Sequence, residues 1–346
     1  MTPSGGGRAT PAQQVLARSA DWGRAPSAHN TQPWHLTEAG PDALALGWHP
    51  DRTLPAGDPS GRDLLLSLGA VAQAVEITAC DLGLRASTRW RVDRSSRRAG
   101  LISLDRTPPV SPSPGGAPVA GGPAGSGVAA FTVAELRARR TARGPYAPPA
   151  SSAEQIARIG GSADLPDGSA LVALPADLVA QALPVADRWT FDGPATAELR
   201  EWLRLGRHRR DRDGLTAQVL GLRPWEAAVL RLSLSPALLP VLRGTRATRL
   251  LAASSTARPL GTVVALTAVA DRGDDHLADL GRALLRTWLA AGREGLWVHP
   301  LSQLLDCPET ARMVAAATAG TNRRVVAVFR LGIPRHPPPA ARRLTD

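Results

Sequence analysis

Lysine is absent from the 346 residues, so all 41 basic side chains are arginine. Together with abundant Ala, Gly and Pro, this bias suits a GC-rich bacterial coding sequence and lowers the information carried by any one Arg. Cysteine is scarce. Cys80 and Cys307 stand far apart without a CxxC, which excludes a disulfide framework and fits a reduced, cytoplasmic protein. The seven His residues form no HExxH and no close grouping with Cys or Asp, and GxSxG is missing, so metal-dependent and serine-hydrolase chemistry have no foothold. Aromatics make up only 4%, and nine of them are Trp, so the core must be built from Leu, Val and Ala. Long apolar runs are missing too. The longest clean one, Val263 to Ala270 with one Thr, is too short for a bilayer, and the first fourteen residues hold no apolar signal segment; a protein without a membrane partner is expected.

Positive charge, in contrast, is in excess, at +11. Arg89, Arg91, Arg94, Arg97 and Arg98 form one cluster, and Arg207, Arg209, Arg210 and Arg212 another. Neither is interleaved with aromatics or accompanied by a nucleic-acid-binding motif, so no specific nucleic-acid partner is expected, whereas phosphate-sized anions suit the composition.

The chain is long enough for two domains or one fused double domain. Asp105 to Gly127 is a Pro/Gly/Ser tract unable to sustain a helix or strand ladder, which places a boundary near 127 and divides the chain into 1–126 and 127–346. Across it lies a repeat. Leu68-Gly69 and Gly83-Leu84 recur as Leu280-Gly281 and Gly295-Leu296, both at an offset of 212. Around these pairs the apolar positions follow helical spacing, predicting core helices over 64–82 and 277–294, each ended by a Gly and followed by a strand, 84–92 and 296–301. Gly69, Ala72, Gly281 and Ala283 would let the two helices approach closely. Further strands are expected over 44–48, 168–174, 262–269 and 325–331, a short helix over 197–205, and an exposed charged turn over 206–214.

Pro26-Ser27-Ala28-His29-Asn30-Thr31-Gln32-Pro33-Trp34-His35 packs short polar side chains between two prolines and has no hydrophobic period. Ser27, Asn30 and Gln32 offer hydroxyl and amide groups to a planar heterocycle; an ordinary turn beside a buried Trp34 is the alternative. Arg139-Arg140-Thr141-Ala142-Arg143 sets guanidinium forks around a hydroxyl, an arrangement suited to phosphate oxygens, although charge pattern alone also permits the solvated end of a helix.

PSxxNxQPW and RRTAR resemble the flavin loop and the RRSxR phosphate motif of the nitroreductase family of FMN-dependent oxidoreductases, and HNTQPW is similar to its fused, double-length Acg-type branch. The resemblance implies an α+β nitroreductase-like fold of two fused halves, an intrachain pseudo-dimer that is monomeric or further dimerised. Each half keeps the motif that the other lacks. One FMN site at their interface is therefore implied, with Pro26, Ser27, Ala28, His29, Asn30 and Gln32 against the ring and Arg139, Arg140, Thr141 and Arg143 against the phosphate. The C-terminal RLGIPRHPPPAARR is similar to the family's closing segment, which makes Arg342 or Arg343 a further phosphate ligand, unless this is a basic tail. The loop Gly295-Leu296-Trp297-Val298-His299-Pro300-Leu301 is implied to run past the ring at N5 and the pyrimidine edge, with Gly295, Leu296, Pro300 and Leu301 as its cofactor-binding residues. NAD(P)H is the implied donor and a small organic molecule the substrate. Hydride passes through flavin N5, so no protein nucleophile is needed, and His29 and His35 are weak candidates as proton donors. The alternative is a non-catalytic, flavin-sequestering protein with residues 187–235 as a lid.

Overall fold

The computed structural model describes residues 8–106, 131–206, 212–235, 237–238, 259–270, 272–318, 323–341 and 343–344. Most of the expected Pro/Gly/Ser linker, the boundary near 127, Arg207 to Arg210 and Arg342 lie outside these residues.

Two short helices, α1 (Pro11–Leu16) and α2 (Ser19–Trp22), precede the polar loop. An antiparallel sheet follows, of β1 (Trp34–Gly40), β2 (Ala43–Trp48), β3 (Leu84–Asp93) and β4 (Arg98–Arg106) in the order β1-β2-β4-β3. Between β2 and β3 runs the long helix α3 (Arg62–Asp81). Later residues build a second sheet. It comprises β6 (Ala170–Ala173), β9 (Thr262–Val269), β10 (Trp297–Pro300) and β11 (Arg323–Pro334) in the order β10-β11-β9-β6, with β5 (Tyr146–Ala147) paired to the end of β11. Among the described residues the helices of this part are α4 (Val133–Ala138), α5 (Ala153–Ser162), α6 (Ala176–Asp192), α7 (Ala195–Trp202), α8 (Ala217–Leu220), α9 (Pro224–Ser233), α10 (Gly273–Arg293), α11 (Gln303–Asp306) and α12 (Pro308–Thr318). Two residue pairs, β7 (Leu203–Arg204) and β8 (Leu215–Thr216), form a small parallel ladder.

The expected core helices and strands are present, and their ends follow from local chemistry. Gly83 and Gly295 take the left-handed conformation directly after the helices, where a side chain would strain the turn. The segment expected as one helix over 197–205 is instead α7, which stops at Trp202 because Leu203 and Arg204 pair with β8.

Helices α3 and α10 form the centre of the molecule. A Cβ on Gly69 would stand 1.8 Å from the Ala278 carbonyl oxygen, and one on Gly281 would stand 2.3 Å from that of Leu66. Leu66 and Ala278, like Gly69 and Gly281, are separated by the repeat offset of 212. The crossing is therefore reciprocal: each helix touches the other through the equivalent carbonyl, as in an isologous contact between like units. By length and mean hydropathy α3 could cross a membrane, but 78% of its most apolar window is buried inside the protein, as a core helix requires.

Polar ties bring the two motifs together. Arg137 at the end of α4 grips Asp21 of α2 with two hydrogen bonds of 2.6 and 3.0 Å. Arg139 Nη2 then donates to the Arg24 carbonyl at 2.8 Å, so the RRTAR segment lies beside the start of the polar loop. On its other side Thr141 bridges Val298 of β10, and the Ala142 amide donates to the Val298 carbonyl at 3.0 Å.

Candidate functional site

The loop is held in an unusual backbone. His29, Asn30 and Gln32 all have positive φ, 48°, 57° and 50°, at a cost on the order of 1 kcal/mol each for residues bearing a Cβ. What holds them there is a set of contacts from distant sequence. Asn30 Nδ2 donates to the Gly214 carbonyl at 3.1 Å, the Gly214 amide donates to the Asn30 carbonyl at 3.2 Å, and Arg343 donates to Asn30 Oδ1. Gln32 Nε2 donates to the Arg212 carbonyl at 3.0 Å, while its Oε1 accepts from the Leu344 amide at 2.9 Å. Ser27 Oγ accepts from the Gln32 amide at 2.9 Å.

Beside this loop opens a cavity of about 320 Å³. Residues 26–30 and Asp63, Leu66 and Ser67 of α3 line one side; Leu284 and Trp288 of α10, Arg139, Thr141 and Arg143, and His299 and Pro300 of β10 line others. Its apolar cover comes from the 187–235 region, including Trp189, Phe191, Leu199, Leu215 and Leu230.

At one end the cavity meets a smaller recess lined, among the described residues, by Arg24, Arg139, Arg140, Arg143 and Arg343 and by no carboxylate. Burial pushes the Arg139 guanidinium well below the ordinary arginine range, and the charges of Arg343, Arg140, Arg24 and Arg143 add to the shift. Burial and Arg330 likewise push Arg143 down to about 10. Nε and Nη1 of Arg139 and Nε of Arg24 are buried without a hydrogen-bond partner among the described residues. Buried donors and concentrated like charge are both costly, and one anion with several acceptor oxygens relieves both.

A second, acidic group lies along the cavity. Arg62 at the start of α3 bonds Asp63 at 2.8 Å and Asp306 of α11 at 2.7 Å, with Asp58 near by. Arg62 pairs with two of these carboxyls, while Asp58 accepts from the Leu64 amide at 2.9 Å. Burial and the neighbouring Asp63 push Asp306 up to about 8 and Asp58 up to about 6.

No family model matches the chain. Two proteins of Mycobacterium tuberculosis H37Rv, both named as candidate NAD(P)H nitroreductases, are similar over short stretches. Rv3131 is 39% identical over 74 residues, 21% of each chain, and Acg is 38% identical over 85 residues, 25% of each. The resemblance is to the nitroreductase superfamily. The chain thus spans about a fifth to a quarter of the length of the curated relatives it matches. Among solved structures, an FMN-bound nitroreductase of Bacteroides fragilis aligns at 14% identity and a TM-score of 0.35, covering 58% of this chain and 87% of its own. The FMN-dependent nitroreductase NfnB of Mycobacterium smegmatis, in complex with NADPH, aligns at 18% identity and 0.34, covering 60% and 92%. Scores this low add no weight to the assignment.

Pro26, Ser27, Ala28, His29, Asn30, Arg139, Thr141, Arg143, Pro300 and Arg343 line the main cavity, and Arg140 lines the recess. Several expected residues do not reach the cavity. Gln32 is buried with both ends of its amide engaged by backbone, so it fixes the loop and does not face the cavity. Gly295 only ends α10, and Leu296 and Leu301 are core side chains. His35 packs against His49 with ring centroids 4.9 Å apart, away from the cavity, because strand alternation from the buried Trp34 turns it to the opposite face. Burial pushes His29 down to about 4, so it is neutral at pH 7, which argues against a ready proton donor. Of the expected exposed charged turn, Arg212 is exposed and residues 207–211 lie outside the described residues, but its end turns inward: Asp213 bonds Arg52 at 3.1 Å and Arg204 at 2.8 Å, and Gly214 is buried against the loop.

Of the loop 295–301 that the resemblance sets past the ring, His299 and Pro300 line the cavity, and a pairing that no motif announces backs the histidine. His299 and Arg330 are cross-strand partners in the β10-β11 ladder, and Arg330 Nε donates to His299 Nδ1 at 3.0 Å.

Proposed function

We propose that the chain is an FMN-binding oxidoreductase of the nitroreductase family, in which two fused halves share one flavin site, with NAD(P)H as donor and a small organic molecule as substrate. The observation that carries this reading is the recess of five arginines, with buried unpartnered donors on Arg139 and Arg24, at the end of a cavity large and apolar enough to admit rings. Its chemistry fits the phosphate of FMN. Arg139, Arg140, Arg143 and Arg343, with Thr141, would hold that group, and residues 26–30 together with Leu284 and Trp288 would flank the ring system.

When bound, the flavin supplies hydride chemistry at N5. The chain contributes binding, orientation and exclusion of water, the last through the apolar cover from 187–235. The Pro/Gly/Ser tract is proposed to join the halves, 1–126 and 127–346, and the reciprocal α3–α10 crossing supports a pseudo-dimer that behaves as a monomer in a cytoplasmic setting. That apolar cover also favours a second reading, in which FMN is sequestered and no turnover takes place.

Titration of the purified apoprotein with FMN, read from the visible spectrum, is expected to saturate at one FMN per chain; no binding, or two per chain, overturns the shared site. Anaerobic NADH or NADPH should then bleach the flavin, and an acceptor should restore it. Binding without bleaching favours sequestration.

A further inference from the structure

His299 is only 8% exposed yet lines the cavity, and Arg330, fully buried, stands behind it. Arg330 is locked in place by more than its histidine partner. Its Nη2 donates to the carbonyl of Arg143 at 2.5 Å and to that of Gly144 at 3.1 Å, and its guanidinium stands 4.7 Å from the centroid of the Tyr146 ring. These anchors belong to the segment that carries the RRTAR motif. The geometry of Arg330 is thereby tied to the arginine recess.

A guanidinium has no lone pair to offer, so at the 3.0 Å Nε–Nδ1 contact the acceptor must be histidine Nδ1. The ring proton is then on Nε2. With Nδ1 occupied, Nε2–H is the polar group that His299 has left for the cavity it lines. We propose that His299 is a fixed, neutral hydrogen-bond donor in this site, serving an acceptor oxygen or nitrogen that gains negative charge on reduction, and that Arg330 is its positioning residue. The donor side of the proposal rests on the flavoenzyme reading; the tautomer does not. Burial and the positive charges of Arg330 on β11 and Arg143 beside β10 hold His299 well below the ordinary histidine range, in keeping with a neutral ring. Such a donor keeps its proton across physiological pH and strengthens its hydrogen bond as charge builds on the acceptor.

The charge-gaining acceptor has two possible sources, the flavin and the substrate, and the test separates them. Nitrogen-15 NMR of histidine-labelled protein without ligand should show His299 protonated at Nε2 and unprotonated at Nδ1, unchanged from pH 6 to pH 8. A ring protonated on both nitrogens, or on Nδ1, overturns the proposal whether or not the protein binds flavin. In the FMN-loaded protein His299→Phe is compared with His299→Gln, which keeps an N–H. If the flavin is the acceptor, the Phe variant lowers the flavin midpoint potential while Gln largely restores it. If the substrate is the acceptor, the potential stays put and kcat/KM for the electron acceptor falls about tenfold in the Phe variant and recovers in the Gln variant. Neither change in the Phe variant overturns the donor role. Failure of the wild type to bind FMN refutes the flavoenzyme reading and leaves the tautomer assignment to be judged on the NMR alone.

Discussion

Gly69 and Gly281 face each other across the α3–α10 crossing, with the Cα of Gly281 2.7 Å from where a Cβ of residue 69 would stand. The nearest obstacle to such a Cβ is the backbone carbonyl of Ala278, which no rotamer change can move. Gly69→Ala and Gly281→Ala are each expected to cost more than about 3 kcal/mol through forced separation of the helices. Chemical denaturation checks this, with Gly292→Ala, which meets open space, as the control. Equal stability of all three variants would refute the tight crossing.

Arg139→Met keeps most of the side-chain volume and removes both the unpartnered buried donors and one of five clustered charges. FMN affinity should fall roughly tenfold to a hundredfold, while riboflavin, lacking phosphate, should change little. The ligand-free variant should be more stable than the wild type, because like-charge repulsion is relieved. Fluorescence titration with both flavins and a thermal melt of the apoprotein measure the two effects. Arg140→Met should lose less, since Arg140 Nη1 is already engaged with the carbonyls of Arg137 and Arg139 at 2.5 and 2.8 Å.

Asp306 carries the pH prediction. Its carboxyl moves from the ordinary 3.8 up to about 8 on folding, so between these values the folded state holds the proton more tightly than the unfolded state. Stability contributed by this group is full below pH 3.8 and is lost progressively as pH rises towards 8. Asp306→Asn should therefore gain on the wild type as pH is raised from 5 to 9, in urea denaturation at both values. A gap that narrows with pH contradicts the raised carboxyl.

Arg343 donates to Asn30 Oδ1 and thereby ties the C-terminal segment to the strained loop. Loss of one charge-assisted hydrogen bond in Arg343→Ala should speed amide hydrogen exchange across residues 27–32 by about tenfold, with little change in β1 and β2. Exchange that stays as slow in 27–32 as in the wild type would show that the Gly214 and Arg212 contacts alone hold the loop.

Most of the secondary structure was legible because it rests on local periodicity. The 64–82 and 277–294 stripes became helices, and the short β-branched runs became strands. The α3–α10 contact was legible through the Leu-Gly repeat, since a small residue at equivalent points of two similar helices specifies where they meet. The role of Gln32 is not legible locally, because its hydrogen-bonding partners at Arg212 and Leu344 lie about 180 and 312 residues away. The loop holding His299 is legible by resemblance, but its pairing with Arg330 is not, because strand register alone brings Arg330 opposite it. His35, by contrast, could have been excluded from the site by the two-residue period that starts at the buried Trp34.

If the arginine recess holds the phosphate of FMN as proposed, it has a consequence for the life of the protein. A chain that closes around five clustered cations folds at a disadvantage until an anion arrives, and a ligand that binds only the folded form repays that deficit by mass action. Newly made chains in a cell short of flavin would then spend more time open to proteases. Abundance would rise and fall with cofactor supply, before any catalytic step is counted.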